Sequence, residues 1–153
     1  MDSEIKICLV SSSGGHLSQL LLLSEAWEQR AHFFVTLRGY AADELSEHSM
    51  AYIVDWANRR HPIKLIKLAS QCLTILLRER PHVILSTGAA VGCLMCVFGK
   101  LLGKKIIWVD TLSHVDRLTL SGRIVRLFAD VFLVQWPELA QKYRHAEYVG
   151  SVI

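Results

Sequence analysis

Apolar residues fall along this chain in two alternating rhythms. Short, nearly unbroken runs recur at residues 5–10, 32–36, 51–54, 82–85, 105–109 and 130–134, and between them lie segments with apolar residues three and four apart. A run such as Ile5, Ile7, Cys8, Leu9 and Val10 fits a strand covered on both faces, which points to a parallel sheet. Residues 15–30 carry Leu17, Leu20, Leu21 and Trp27 at helical spacing, with Leu22 and Leu23 in excess of that stripe. After a loop at 37–40, residues 43–48 predict a polar helical excursion. Pro62 suits a first helical position, and from it Leu65, Leu68, Ala69, Cys72, Leu73 and Leu76 make one face, opposite Lys64, Lys67, Gln71, Thr74 and Arg78, until Pro81 ends the helix. Residues 89–102 are apolar all round except for Lys100, which predicts a helix that is buried or touches a membrane. At about 1.5 Å per residue it would be roughly 21 Å long, short of the ~30 Å hydrocarbon core. Short helices are predicted at 121–129 and 137–144, and residues 148–153 form a last strand-like run.

Strands alternating with helices six times over predict an α/β fold, a Rossmann-like doubly wound parallel sheet in a single domain. In such sheets ligands bind beyond the carboxyl ends of the strands, where this chain places its loops at 11–16, 38–39, 59–61, 86–88, 110–117 and 135–136. The first of these, Ser11-Ser12-Ser13-Gly14-Gly15-His16, joins a strand to a helix. Bare N–H groups and the positive end of the helix dipole make that junction an anion site, with Ser13, Gly14 and Gly15 as candidate phosphate contacts. It is not a P-loop and not G-x-G-x-x-G. Thr87-Gly88 opens a second helix in the same way. Arg38, Arg59, Arg60 and Arg117 could complete a diphosphate site on this edge. His16 lies in the first turn, where the dipole favours the neutral imidazole that can accept a proton. Asp110, at the mouth of the fifth strand, is either a loop cap or a general base. No cluster of metal-ligand types at workable spacing appears, so no metal is expected.

With 153 residues, a net charge of +3 and no basic run interleaved with aromatics, the chain is one ordinary domain without the footprint of a nucleic-acid binder. A hydrophobic fraction of 52% is high for a soluble domain and leaves apolar surface for a membrane or a partner. Cys8, Cys72, Cys93 and Cys96 all sit in apolar stretches, as reduced core thiols do, which fits a cytoplasmic setting. The polar start Met1-Asp2-Ser3-Glu4 does not read as a signal peptide.

Three blocks carry a resemblance. They are Val10 to Leu17, Ser86-Thr87-Gly88, and Ile107-Trp108-Val109-Asp110-Thr111 with Arg117-Leu118-Thr119-Leu120-Ser121-Gly122-Arg123 and the later Gln135-Trp136-Pro137-Glu138-Leu139. Together they resemble the PssD/CpsF-type bacterial exopolysaccharide proteins, and are similar also to the eukaryotic membrane-recruiting subunit of the dolichol-linked N-acetylglucosamine transferase. The resemblance implies the N-terminal, acceptor-side half of a split GT-B glycosyltransferase. A PssE-like partner chain would supply the C-terminal half and hold the UDP-sugar, leaving this chain without a cofactor of its own. The acceptor would be a polyprenyl-diphosphate-linked glycan at the cytoplasmic membrane face, with His16 or Asp110 as catalytic base and Thr111 among the acceptor contacts. Asp110 stands where many relatives have Glu, and the eukaryotic N-terminal anchor has no counterpart, so apolar residues such as Leu22, Leu23, Leu94, Val97 and Phe98 would meet the membrane. Gln135, Trp136, Val149, Val152 and Ile153 would meet the partner, although a last strand docked on its own sheet is the alternative for the terminal run. The rival reading is a free-standing nucleotide- or phosphosugar-binding enzyme. Against it stands the second strand, which ends in Thr36-Leu37-Arg38 without an acidic ribose ligand.

Overall fold

A computed structural model describes residues 4–153; the polar start at 1–3 lies outside the described residues. The apolar runs form six parallel strands, β1 (Lys6–Val10), β2 (Ala31–Leu37), β3 (Ala51–Val54), β4 (Val83–Ser86), β5 (Lys105–Val109) and β6 (Val131–Leu133), in the order β3-β2-β1-β4-β5-β6. Between and after them come α1 (Gly15–Leu22), α2 (Tyr40–His48), α3 (Pro62–Glu79), α4 (Ala89–Leu101), α5 (Leu120–Val125) and α6 (Pro137–Lys142). The chain winds outward from β1 to β3, then returns to set β4 against the other side of β1. That reversal opens a crevice at the carboxyl ends of β1 and β4. The two loops bordering it are those that carry Gly14-Gly15-His16 and Thr87-Gly88.

Alternate residues of each strand feed two cores. Cys8, Val10, Phe33, Val35, Ile84, Ile106 and Trp108 meet α3 and α4, while Ile7, Leu9, Phe34, Leu85 and Val109 meet Leu20 and Trp27. Helix α4 lies flush on the sheet because Gly92 and Gly99, seven residues apart and so on one face, remove the side chains that would hold it off. A Cβ at Gly92 would come within 2.1 Å of the Ser86 hydroxyl, and one at Gly99 within 2.1 Å of Ile84 Cδ1. Burial pushes the Cys72 thiol up to about 12 and raises Cys8, Cys93 and Cys96 as well, so all four behave as inert core thiols.

Three expectations change. Helix α1 stops at Leu22 instead of running to residue 30: a 3-10 turn at Ser24–Ala26 follows, and the Trp27 indole N–H folds back onto the Leu20 carbonyl at 3.3 Å. Helix α4 is not enclosed on every side; α3 and α5 flank it, and Leu94 and Phe98 pack part of their surface on the core. The terminal run is no strand, since only Glu147 bridges to Leu133 of β6, leaving Val149 and Ile153 exposed. No helix among the described residues is long and apolar enough to cross a membrane.

Asp130 fastens the start of β5. Its carboxylate accepts from the Ile106 N–H at 2.8 Å and pairs with Lys100 at 3.1 Å, and these partners, the N–H first, hold its carboxyl below the usual range against the opposing effect of burial. A depressed carboxyl stabilises the fold above its unfolded pKa, about 3.9, and that contribution is lost as pH falls through the folded value. Asp130→Asn should therefore lower stability by about 1 kcal/mol at pH 7, with a smaller deficit at pH 3. Urea midpoints at the two pH values would check this, and a deficit undiminished in acid would refute the assignment.

Candidate functional site

The loops bordering the crevice are locked to each other by two reciprocal hydrogen bonds. The Thr87 hydroxyl donates to the His16 carbonyl at 2.6 Å, and His16 Nδ1 lies 2.9 Å from the Thr87 carbonyl. A carbonyl oxygen can only accept, so Nδ1 carries the proton, and in the neutral ring Nε2 keeps a lone pair to accept one. The ring rests on Gly88, where a Cβ would lie 2.6 Å from its Nδ1 and Cε1 and where φ is +140°. Only glycine fits there without displacing the imidazole. Gly14 caps α1 with a φ of +83°, and both Gly14 and Gly15 are exposed with nothing within 4 Å of a built Cβ. The backbone at the start of α1 is therefore open to close approach, as an anion site requires.

Asp110 is placed differently. It is 1% exposed, and its two oxygens are spent on the fold: Oδ1 accepts from the Trp108 indole at 3.0 Å and the Thr119 hydroxyl at 2.8 Å, and Oδ2 from the Thr119 N–H at 3.2 Å. The Thr119 hydroxyl in turn accepts from the Gly122 N–H at 2.9 Å and caps α5. Of the two roles open to Asp110 in the sequence, this geometry is that of the cap. A general base needs a lone pair that faces the substrate.

The loop after β5 is gripped by two residues from other elements. Gln135, expected at a partner interface, is instead buried, because its amide is the bolt of this loop. Its Nε2 donates to the Asp110 carbonyl at 2.9 Å and to Gln19 Oε1 at 2.6 Å, and its Oε1 accepts from the Val152 N–H at 3.1 Å. Gln19 also accepts from the Leu112 N–H at 3.2 Å and reaches Thr111 Oγ1 at 3.4 Å. Thr111, expected to touch the acceptor, is buried, and its hydroxyl also pairs with Ser113 at 3.0 Å. The Trp136 indole donates to the Leu112 carbonyl at 2.8 Å. Gln19 was missed from the sequence, yet it lies three positions after His16 and so on the same helix face.

The arginines do not converge on one cavity. Arg38 lines a cleft of about 570 Å³ with Ser13, Asp55 and Trp56, whereas Arg59 lines a groove of about 400 Å³ between α3, α4 and α5. Arg60 and Arg117 are exposed on their loops. Of the residues expected at a membrane, Leu22 is exposed, but Leu23 packs on the smaller core, and Leu94, Val97 and Phe98 are half-buried between neighbouring helices. Larger apolar exposure lies on α3, on α5 and just past it, at Ile63, Ile66, Leu120, Ile124 and Leu127. Among the described residues, no group of three His, Cys, Asp or Glu is placed to hold a metal ion.

Asp110→Asn replaces one accepting oxygen with an NH2 facing donors, leaving a buried polar group unsatisfied at a cost of about 1–3 kcal/mol. The variant should lose that much stability in a denaturant titration. An unchanged midpoint would mean that the carboxylate does not carry the loop.

The fold and sequence have relatives. The family described as "Oligosaccharide biosynthesis protein Alg14 like" matches residues 54–152. A protein of Yarrowia lipolytica named UDP-N-acetylglucosamine transferase subunit ALG14 is 44% identical over 82 residues, 50% of this chain and 38% of that protein. The chain thus spans well under two thirds of that relative in the match. The mouse protein of the same name is 28% identical over 98% of this chain and 84% of its own length. Among solved structures, Acinetobacter baumannii MurG superposes with a TM-score of 0.73 at 14% identity, over 96% of this chain and 45% of that one. A UDP-GlcNAc 2-epimerase from Methanocaldococcus jannaschii gives 0.74 at 11% identity, over 96% and 46%. The six-stranded parallel sheet with its helices is therefore the Rossmann-like fold of GT-B glycosyltransferases and epimerases.

Proposed function

We infer that this chain, which belongs to the Alg14-like family of oligosaccharide biosynthesis proteins, is the acceptor-side subunit of a two-chain inverting glycosyltransferase. The acceptor is a polyprenyl-diphosphate-linked glycan at the cytoplasmic membrane face. A PssE-like GT-B C-terminal half holds the UDP-sugar, and the names of the mouse and Yarrowia relatives support UDP-N-acetylglucosamine as the donor class. The resemblance of its blocks to PssD/CpsF-type proteins supports exopolysaccharide assembly as the setting of the reaction.

The observation that carries this reading is the His16 imidazole held by Thr87 at the start of α1, with Nε2 unengaged among the described contacts. A diphosphate on the open N–H groups around Gly14 and Gly15 sets the acceptor beside that nitrogen. As the acceptor hydroxyl oxygen bonds to the anomeric carbon of the partner-held sugar, its proton passes to Nε2. The bond from that carbon to the diphosphate of UDP breaks with its electron pair, and UDP leaves on the partner. Asp110 contributes by fixing the facing loop.

His16→Ala should lower turnover of the reconstituted pair by about 10² to 10⁴, as removal of a general base does, and leave assembly intact. Turnover within threefold of wild type would sink the reading. The terminal residues test the partner. Val149 and Ile153 are exposed, and Val152 is tied to the fold through one N–H. Deleting residues 151–153 should abolish co-purification with the C-terminal half while the melting temperature of the isolated chain barely changes. Binding retained alongside a fall in melting temperature would assign these residues to the fold instead.

A further inference from the structure

The groove between α3, α4 and α5 is lined by Leu65, Ala90, Cys93, Leu94, Leu120 and Ile124, so that almost all of its wall is apolar. Each of these residues lies in the first turns of its helix, and all three helices start at the carboxyl edge of the sheet. The groove therefore opens on the same edge as the His16 crevice. Ala90 stands two residues from Gly88, on which the His16 ring rests. Arg59 and Asn58 sit on the groove's wall at the loop end. Outside, Ile63 and Ile66 of α3 are 84% and 70% exposed and Leu120 of α5 is 55% exposed, which continues the apolar surface along both banks. An apolar trough with a guanidinium on its wall, at the sheet edge that also carries the start of α1, matches an amphiphile with an anionic head and a hydrocarbon tail.

We propose that this groove holds the head-proximal isoprene units of an isoprenoid diphosphate whose phosphates sit at the start of α1, with Arg59 facing the second phosphate where the tail begins. This rests on the acceptor reading above and adds the location of the lipid. The groove is a short trough, so it fixes the first units and leaves a longer chain to the bilayer. Burial of those units supplies affinity that the diphosphate alone lacks. The half-buried Leu94 serves the tail from within the groove, and Ile63 and Ile66 meet lipid beyond it.

The test measures binding of farnesyl diphosphate and of inorganic pyrophosphate to the full chain by calorimetry. Farnesyl diphosphate should bind at least tenfold more tightly than pyrophosphate. The double variant Leu120→Gln with Ile124→Glu changes two solvent-exposed positions, and circular dichroism would verify its fold. It should erase that tenfold gain and leave pyrophosphate binding unchanged. The proposal is overturned if farnesyl diphosphate binds no better than pyrophosphate, or if the variant keeps the gain. It is also overturned if the variant loses binding to vesicles of anionic phospholipid yet keeps the gain, since the face would then be a bilayer contact only. Failure of the acceptor reading looks different: pyrophosphate would not bind, while farnesol would still discriminate wild type from variant.

Discussion

Everything at the carboxyl edge depends on the reciprocal bond between His16 and Thr87. It joins the loop after β1 to the loop after β4, the two strands between which the winding direction reverses. A crevice at a reversal point is a consequence of topology, but its width and the direction of its side chains are not. Here two hydrogen bonds and the missing Cβ of Gly88 set both. The same bond that closes the fold at this point also selects the tautomer, so structure and chemistry share one contact. A residue in this position cannot drift without loosening the junction of two helices.

Sequence pattern revealed the sheet because strands buried on both faces leave unbroken apolar runs, and Lys105–Val109 and Ala51–Val54 begin and end as their runs do. The loops at the carboxyl edge were legible for a related reason, since strand-turn-helix order determines which edge they occupy. Side-chain roles were less legible. A carboxylate at a strand mouth looks the same in sequence whether its lone pairs face a ligand or the Trp108 indole and Thr119, so Asp110 could not be assigned without the partners. Gln135 sits beside an aromatic in a conspicuous block, which suggests a surface, yet its amide is a buried bolt. Helix α4 misled in another way. Its apolar circumference indicates burial, but the neighbours that bury it are α3 and α5, and the surplus appears at Ile66 of α3 and at Leu127 just past α5.

Buried polar groups divide the labour of the site. Asp110, Gln135 and Gln19 form a connected set in which nearly every lone pair and N–H has a partner, and such a set rigidifies a loop at no penalty for unsatisfied groups. The price of that rigidity is reactivity, because a carboxylate that accepts three hydrogen bonds and is 1% exposed is turned away from a substrate. His16 differs in making one strong contact and keeping one nitrogen unengaged. A base must be both fixed and incomplete, and within this edge the imidazole meets that condition while the carboxylate does not.

The anion cradle follows the same logic at the level of the backbone. Side-chain cations on long loops, such as Arg60 and Arg117, must surrender rotamer freedom to hold a phosphate, whereas the N–H groups at the start of α1 are already fixed by the helix behind them. Gly14 and Gly15 leave the approach to them open, since nothing lies within 4 Å of a Cβ built at either. Arg59 differs from Arg60 and Arg117 in lining an apolar groove. In the complex proposed above, a head group held by backbone and a tail held by a short trough would divide recognition between a directional contact and a non-directional one. The directional contact would determine where the acceptor hydroxyl stands relative to His16, and the trough, which any flexible hydrocarbon can occupy, would contribute affinity without disturbing that alignment.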